Sequence, residues 1–258
     1  MNNPGRRKRL AFAIFTLIAA TVVSGCRAAQ RSILTISVAA SLQDAIADVE
    51  AEYQREHGTV EFRNNFGSSG TLAREIEQGA PVDAFVSAGE KPMDQLEKEG
   101  LLQPGSRVNL LRNTLVLIAP HGSDLQGFDQ LTGKQVRMIA LGDPASVPAG
   151  QFGKQTLDSM HLYDKLRSKV VLGNDVRQVL TYVETGNADA GLVYATDAQA
   201  STQVRVVATA SENSHDPIVY PVAAINGTHS GESISNFIAF LKSPTAQSIF
   251  ARYGFKMA

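Results

Sequence analysis

The chain has 258 residues, 43% hydrophobic and 19% charged, with a formal net charge of −1. That is ordinary globular composition, enough for one large domain or two lobes of roughly 100 residues each. Tryptophan is absent and aromatics make up 7%, which argues against a base- or sugar-stacking surface, and the near-neutral charge argues against a nucleic-acid footprint.

The first residues differ from the rest. "GRRKR" (5–9) is a basic stretch, and "LAFAIFTLIAATVV" (10–23) is an apolar run of 14 residues. The run is short for a transmembrane helix but suits the apolar core of a secretory signal. It ends in "VSGC", where Cys26 is the only cysteine of the chain. An incidental cysteine after a signal peptide is the plain reading; the four residues also resemble a bacterial lipobox, which implies lipidation of Cys26 as the new N-terminus. A lone thiol makes no internal disulfide. Removing residues 1–25 takes away Arg6, Arg7, Lys8 and Arg9 and no acid, so the exported part carries 20 basic and 25 acidic residues, a net charge of −5. Bulk charge does not draw anions to such a chain.

After a tether over 26–32, "ILTISVAA" (33–40) predicts a buried strand, continuous rather than alternating. Leu42, Ala45, Ile46, Val49 and Tyr53 follow at helical spacing and stop at Gly58. Strands are expected at 59–65 and 83–87, with helices at 71–78 and 91–100. This alternation with short connections predicts a parallel sheet covered by helices. The pattern begins again at "NTLVLIAP" (113–120), with strands at 135–142, 169–174, 189–195, 204–210 and 217–225. Helices are expected at 150–160, 176–186, 232–243 and 245–254. The expectation is two α/β lobes, the second inserted in the first and joined by two crossing strands. Ligands of such sheets bind at the carboxyl ends of strands and in clefts between lobes.

Enzyme motifs fare poorly. "GSSG" (67–70) is one residue short of a G-x-S-x-G nucleophile elbow. The five histidines are scattered and none pairs at metal-ligand spacing. "GFDQLTGKQ" (127–135) has one residue too many for a P-loop and Gln135 where the Mg²⁺-binding hydroxyl belongs. What survives is a set of strand-to-helix junctions with small or hydroxyl residues: "AAS" (39–41), "SSGT" (68–71), "VPAG" (147–150) and "NDVR" (174–177). The first N–H groups of a helix lack intrahelical partners and the dipole favours negative charge there. Converging helix starts thus make an anion site without Lys or Arg. Capping explains any one junction equally well: Ser41 with Asp44, and Asp175 with Gln178, are each spaced as a capping box.

Together "SVAASLQDA", "FGSSGTLAREIEQGAPVDAFVSA", "GDPASVPAG", "NDVRQVL", "GLVYATDA" and "RYGF" resemble the molybdate-binding component of the bacterial ABC importer, collinearly from about residue 33 to about residue 256. The resemblance implies a type II periplasmic-binding-protein fold, with 33–112 and 219–258 forming one lobe and 113–218 the other. It implies an extracytoplasmic, monomeric binding protein for molybdate or tungstate that serves a permease and its ATPase, with no enzymatic activity, no cofactor and no nucleic-acid partner; the lipid anchor is implied by the lipobox at Cys26. The implied contacts are Ser41, Ser69, Ala149, Val176 and Tyr194, through the N–H groups of the first four and the hydroxyls of both serines and the tyrosine. The metal is held through its oxygens, with no direct protein ligand. Gly70 departs from the pattern, standing where members often carry a third serine, and the lipobox departs from the free export of many Gram-negative members. Sulfate or phosphate is the alternative ligand, a Ser69 hydrolase the alternative from another class, and a sensor that lost transport a third.

Overall fold

The computed structural model describes residues 32–58 and 60–258. The expected leader over 1–25, the lipidation site Cys26, the tether as far as residue 31, and Thr59 lie outside the described residues.

Strand β1 (Ser32–Ala39) is buried along its second half, as a strand covered on both faces must be. It runs through a single 3₁₀ turn (Ala40–Leu42) into helix α1 (Gln43–His57). Gly58, at φ 32°, ends that helix in the left-handed conformation that glycine adopts without Cβ strain. β2 (Val60–Gly67), α2 (Ser69–Glu77), β3 (Ala84–Val86) and α3 (Glu90–Lys98) continue the alternation, with β1 parallel to both β2 and β3. β4 (Val108–Arg112) ends this first run and β5 (Leu115–Pro120) opens a second sheet. There follow β6 (Ile139–Gly142), α4 (Pro148–Ser159), α5 (Tyr163–Leu166), β7 (Val170–Gly173), α6 (Val176–Glu184), β8 (Ala190–Tyr194), α7 (Ala195–Gln199) and β9 (Val204–Thr209). β10 (Val219–Ala224) returns to the first sheet, followed by α8 (Gly231–Leu241), α9 (Pro244–Arg252) and β11 (Lys256–Met257).

The strand orders are β11-β4-β10-β3-β1-β2 and β7-β6-β8-β5-β9. Each sheet has three parallel strands flanked by one antiparallel strand, β10 against β3 and β5 against β8. The chain passes between sheets through residues 113–114 and 210–218. This is the two-lobed α/β binding-protein architecture that the resemblance implies.

Alternation along β3 divides the packing of the first lobe. Phe85 faces Leu72 and Ile76 of α2 and Met93 and Leu96 of α3, whereas Ala84 and Val86 belong to the core on the opposite face. Truncating Phe85, which is fully buried, would cost about 3–5 kcal/mol.

Three expectations change. The strand expected over 113–120 starts only at Leu115, because the Asn113 side chain turns back to accept the Thr114 N–H at 2.8 Å and the pair serves as a crossing between sheets. The strand expected over 135–142 starts at Ile139, since the Asp189 carboxylate takes the N–H groups of Arg137 and Met138 at 2.7 and 2.9 Å. The expected parallel sheets are mixed. β4, α5, α7 and β11 were not anticipated; each has five residues or fewer, too short for a periodic signal.

The loop "GDPASVPAG" owes its outer glycines to close packing. A Cβ on Gly150 would overlap the carbonyl of Gly142, so the end of β6 and the first turn of α4 touch directly.

Candidate functional site

β1, β2, β6 and β7 each end where a helix begins, and these ends converge between the two sheets. There, Ala39–Ser41, Gly67–Ser69, Ala88, Val147–Ala149, Asp175, Val176 and Tyr194 line one pocket, with about 210 Å³ of atom-free space. The enclosed part of that space is about 10 Å³, close to the room that one water molecule needs, so the pocket suits only a small solute. All five residues expected to make contacts, Ser41, Ser69, Ala149, Val176 and Tyr194, line it, and all five are buried.

No Lys, Arg or His is among the described lining residues, and the one charged side chain, Asp175, is occupied. Its carboxylate accepts the Gln178 N–H at 2.9 Å, while Gln178 Oε1 accepts the Asn174 N–H at 2.7 Å. The capping reading therefore holds at this junction, and it leaves the Val176 N–H as the first free donor of α6. In α4 the cap position is Val147, which supplies no side-chain acceptor, and the next residue is Pro148, which has no N–H. The first donor of α4 is therefore the N–H of Ala149.

The two serines differ from ordinary caps. At Ser41 the capping-box reading is overturned: no side chain caps the turn or α1. Its hydroxyl instead lies 3.0 Å from Tyr220 Oη, which also accepts Asn113 Nδ2–H at 3.2 Å. Either hydroxyl can donate in this pair, because the Tyr220 oxygen that accepts from Asn113 keeps a second lone pair. At the second junction the cap is Ser68, whose Oγ accepts the Thr71 N–H at 3.4 Å. Ser69 Oγ accepts the Ala88 N–H at 2.9 Å, so its own hydrogen remains available. The partner of Ser69 is thus a backbone amide, not a general base, and a hydrolase has no support here.

Tyr194, closing β8, donates its hydroxyl to Ala88 O at 3.0 Å. Burial pushes the phenols of Tyr194 and Tyr220 well up from their ordinary value, so both keep their protons. Across the cleft, the Gly70 N–H donates to Ser146 O at 2.9 Å.

Ala88, Tyr220 and Asn113 have no sequence signature: each acts through a partner distant in the chain. Among the described residues there is no group of three or more His, Cys, Asp or Glu able to hold a metal ion, and no helix long and apolar enough to cross a membrane. The site is a set of neutral donors aimed at a small acceptor-rich solute.

Comparison with known proteins agrees with this chemistry. A family described as bacterial extracellular solute-binding protein matches residues 34–256. YvgL of Bacillus subtilis, whose name describes an ABC transporter substrate-binding lipoprotein, is 40% identical over 96% of this chain and 98% of its own. The molybdate-binding protein ModA of Escherichia coli is 40% identical over 90% and 92% of the two chains. The structure of the Azotobacter vinelandii periplasmic molybdate-binding protein superposes with a TM-score of 0.79, at 28% identity over 87% of this chain and 99% of that one.

Proposed function

Because the chain belongs to the bacterial extracellular solute-binding proteins, we propose that it captures molybdate, with tungstate as a second ligand, and delivers it to an ABC permease and its ATPase. As a solute-binding protein it is not an enzyme, it carries no cofactor, and it works outside the cytoplasm. The observation that carries the molybdate reading is the pocket itself: helix starts from both lobes and two serine hydroxyls line it, with no Lys, Arg or His among the described lining residues. The identity to a molybdate-binding relative supports the same reading.

In this reading the oxyanion accepts from the N–H groups of Ser41, Ser69, Ala149 and Val176 and from the hydroxyls of Ser41, Ser69 and Tyr194. Tyr194 exchanges its bond to the Ala88 carbonyl for one to the dianion, since hydrogen bonds to charged acceptors are roughly twice as strong. The metal is surrounded by its own oxygens and touches no side chain. Residues 33–112 with 219–258 act as one lobe and 113–218 as the other, closing on the ligand as a monomer. Cys26 carries the lipid that tethers the protein to the membrane.

A pocket rich in donors also sets selectivity. Phosphate near neutral pH retains a proton and so offers those donors one acceptor fewer than a fully deprotonated dianion, a loss of about 1–3 kcal/mol. Sulfate carries no proton but is smaller, so it leaves donors of a closed cleft unpaired. Two lost bonds to a charged group cost about 3–6 kcal/mol, a factor of hundreds or more. Calorimetric titration of the full-length chain with molybdate, tungstate, sulfate and phosphate tests this. Tight binding of the first two, far weaker sulfate and negligible phosphate are expected; sulfate within tenfold of molybdate overturns the assignment.

A further inference from the structure

Arg177, the second residue of α6, lies next to Val176 but does not line the pocket. Its guanidinium spans the two lobes. Nη2 donates to Asp44 Oδ2, in the first turn of α1, at 2.7 Å, and Nε is 3.1 Å from Asp197 Oδ1 in α7, an ion pair in which neither atom has a hydrogen-bond partner. Asp197 is 0% exposed, and its other oxygen accepts the Tyr194 N–H at 3.3 Å. Burial pushes the Asp197 carboxyl up to about 7, and the neighbouring Arg177 charge acts against that rise.

One arginine thus ties together three parts of the pocket wall: the turn of Ser41, three residues before Asp44; the start of α6 at Val176; and Tyr194 through Asp197. The planar guanidinium offers separate edges to two carboxylates, which an ammonium cannot reproduce with the same geometry. The Asp197 end lies within one lobe and is buried. The Asp44 end crosses the cleft and is partly exposed, with side-chain exposures of 27% for Arg177 and 45% for Asp44. The Asp197 contact is a buried ion pair within one lobe, and the Asp44 contact is the hydrogen bond that separation of the lobes would have to break.

We propose that Arg177 is a positioning residue that clasps the closed cleft: anchored on Asp197, it grips Asp44 of the opposite lobe and slows release of the bound anion. The proposal rests on the oxyanion reading of the pocket for its effect on release, but the clasp itself has a readout that needs no ligand. The Gly70 N–H is bonded across the same cleft to Ser146 O, so its exchange with solvent reports separation of the lobes.

The sign of the effect separates a clasp from simple charge. Removing the Asp44 carboxylate takes a negative charge away from an anion site, and by electrostatics alone this tightens binding. Loss of the clasp does the opposite. The experiment compares full-length parent, Asp44→Asn and Asp44→Glu in two measurements: release of radioactive molybdate chased with unlabelled molybdate at low salt, and amide exchange of the segment containing Gly70 without ligand. For Asp44→Asn, release about three- to fivefold faster is expected, within the range of a partly exposed ion pair, together with faster exchange at Gly70, an unchanged melting temperature, and recovery in Asp44→Glu. Parental or slower release in Asp44→Asn overturns the clasp, as does faster release with unchanged exchange at Gly70. If the parent binds no molybdate, the ligand assignment falls; faster Gly70 exchange in Asp44→Asn then still upholds the clasp, and unchanged exchange overturns it.

Discussion

Gly70 and Ser146 meet backbone to backbone across the cleft: the glycine N–H donates to the serine carbonyl at 2.9 Å, and a Cβ on Gly70 would lie 2.5 Å from that oxygen and 2.9 Å from Ser146 Cα. No side chain fits there without moving one lobe from the other. Gly70→Ser is therefore expected to hold the cleft partly open. Molybdate affinity should fall by about tenfold or more, the cost of one or two misaligned bonds to a charged group, with little change in melting temperature. Calorimetry checks this, and parental affinity in Gly70→Ser would contradict the closed geometry.

Ser41→Ala and Ser69→Ala each remove a hydroxyl donor and keep the backbone N–H. Each should weaken molybdate binding by roughly tenfold or more. Both should also lose stability. Ser69→Ala strips the buried Ala88 N–H of its acceptor and Ser41→Ala removes the partner of the buried Tyr220 hydroxyl, each at about 1–3 kcal/mol. Urea titration alongside calorimetry separates the two effects. A variant that binds like the parent would remove that serine from the contact set.

Stability should decline from acidic to neutral pH through Glu50. Burial pushes this carboxyl up to about 7, although Asn64 Nδ2 donates to both its oxygens at 3.0 and 2.8 Å and acts in the opposite direction. The folded chain therefore holds the proton more tightly than the unfolded chain. The contribution is fully present below about 4.5, is lost as pH rises to about 7, and amounts to about 3 kcal/mol at most. Asp197, also raised to about 7, adds a slope of the same sign. Glu50→Gln should flatten the fall between pH 5 and pH 8 and be the more stable chain at pH 8. Urea midpoints at the two pH values measure this; an unchanged slope in Glu50→Gln would refute it.

Cys26→Ser tests the anchor. A diacylated cysteine supplies two chains, sufficient for stable membrane attachment. The variant is expected to remain an unprocessed precursor and to take up no radioactive palmitate. Normal labelling of Cys26→Ser would rule the lipobox out.

Much of the lobes and the pocket wall could be read locally. β1, β8 and β10 are continuous apolar runs, and the helices show 3.6-residue spacing, because burial on one face imposes a period on neighbouring residues. The same holds for the junctions that carry Ser41, Ser69, Ala149 and Val176, whereas Tyr194 enters only through the family resemblance. Each sits at the end of a strand or the start of a helix, and such junctions announce themselves by small, hydroxyl or proline residues within a few positions.

The direction of each side chain within that wall was not local. Ser41 is spaced as a cap with Asp44, yet its hydroxyl goes to Tyr220, 179 residues away. Ser68 and Ser69 are adjacent and alike, but only tertiary packing makes the first a cap and the second the acceptor of Ala88, 19 residues on. Asp44 and Arg177, 133 residues apart, are brought together only by the fold. Hydrogen bonds and ion pairs of this kind leave no periodicity, since their partners are brought together by the sheets rather than by spacing along the chain. The residue pattern alone pointed to helix starts gathered on one pocket; which distant groups the side chains around it bond to was settled by the fold.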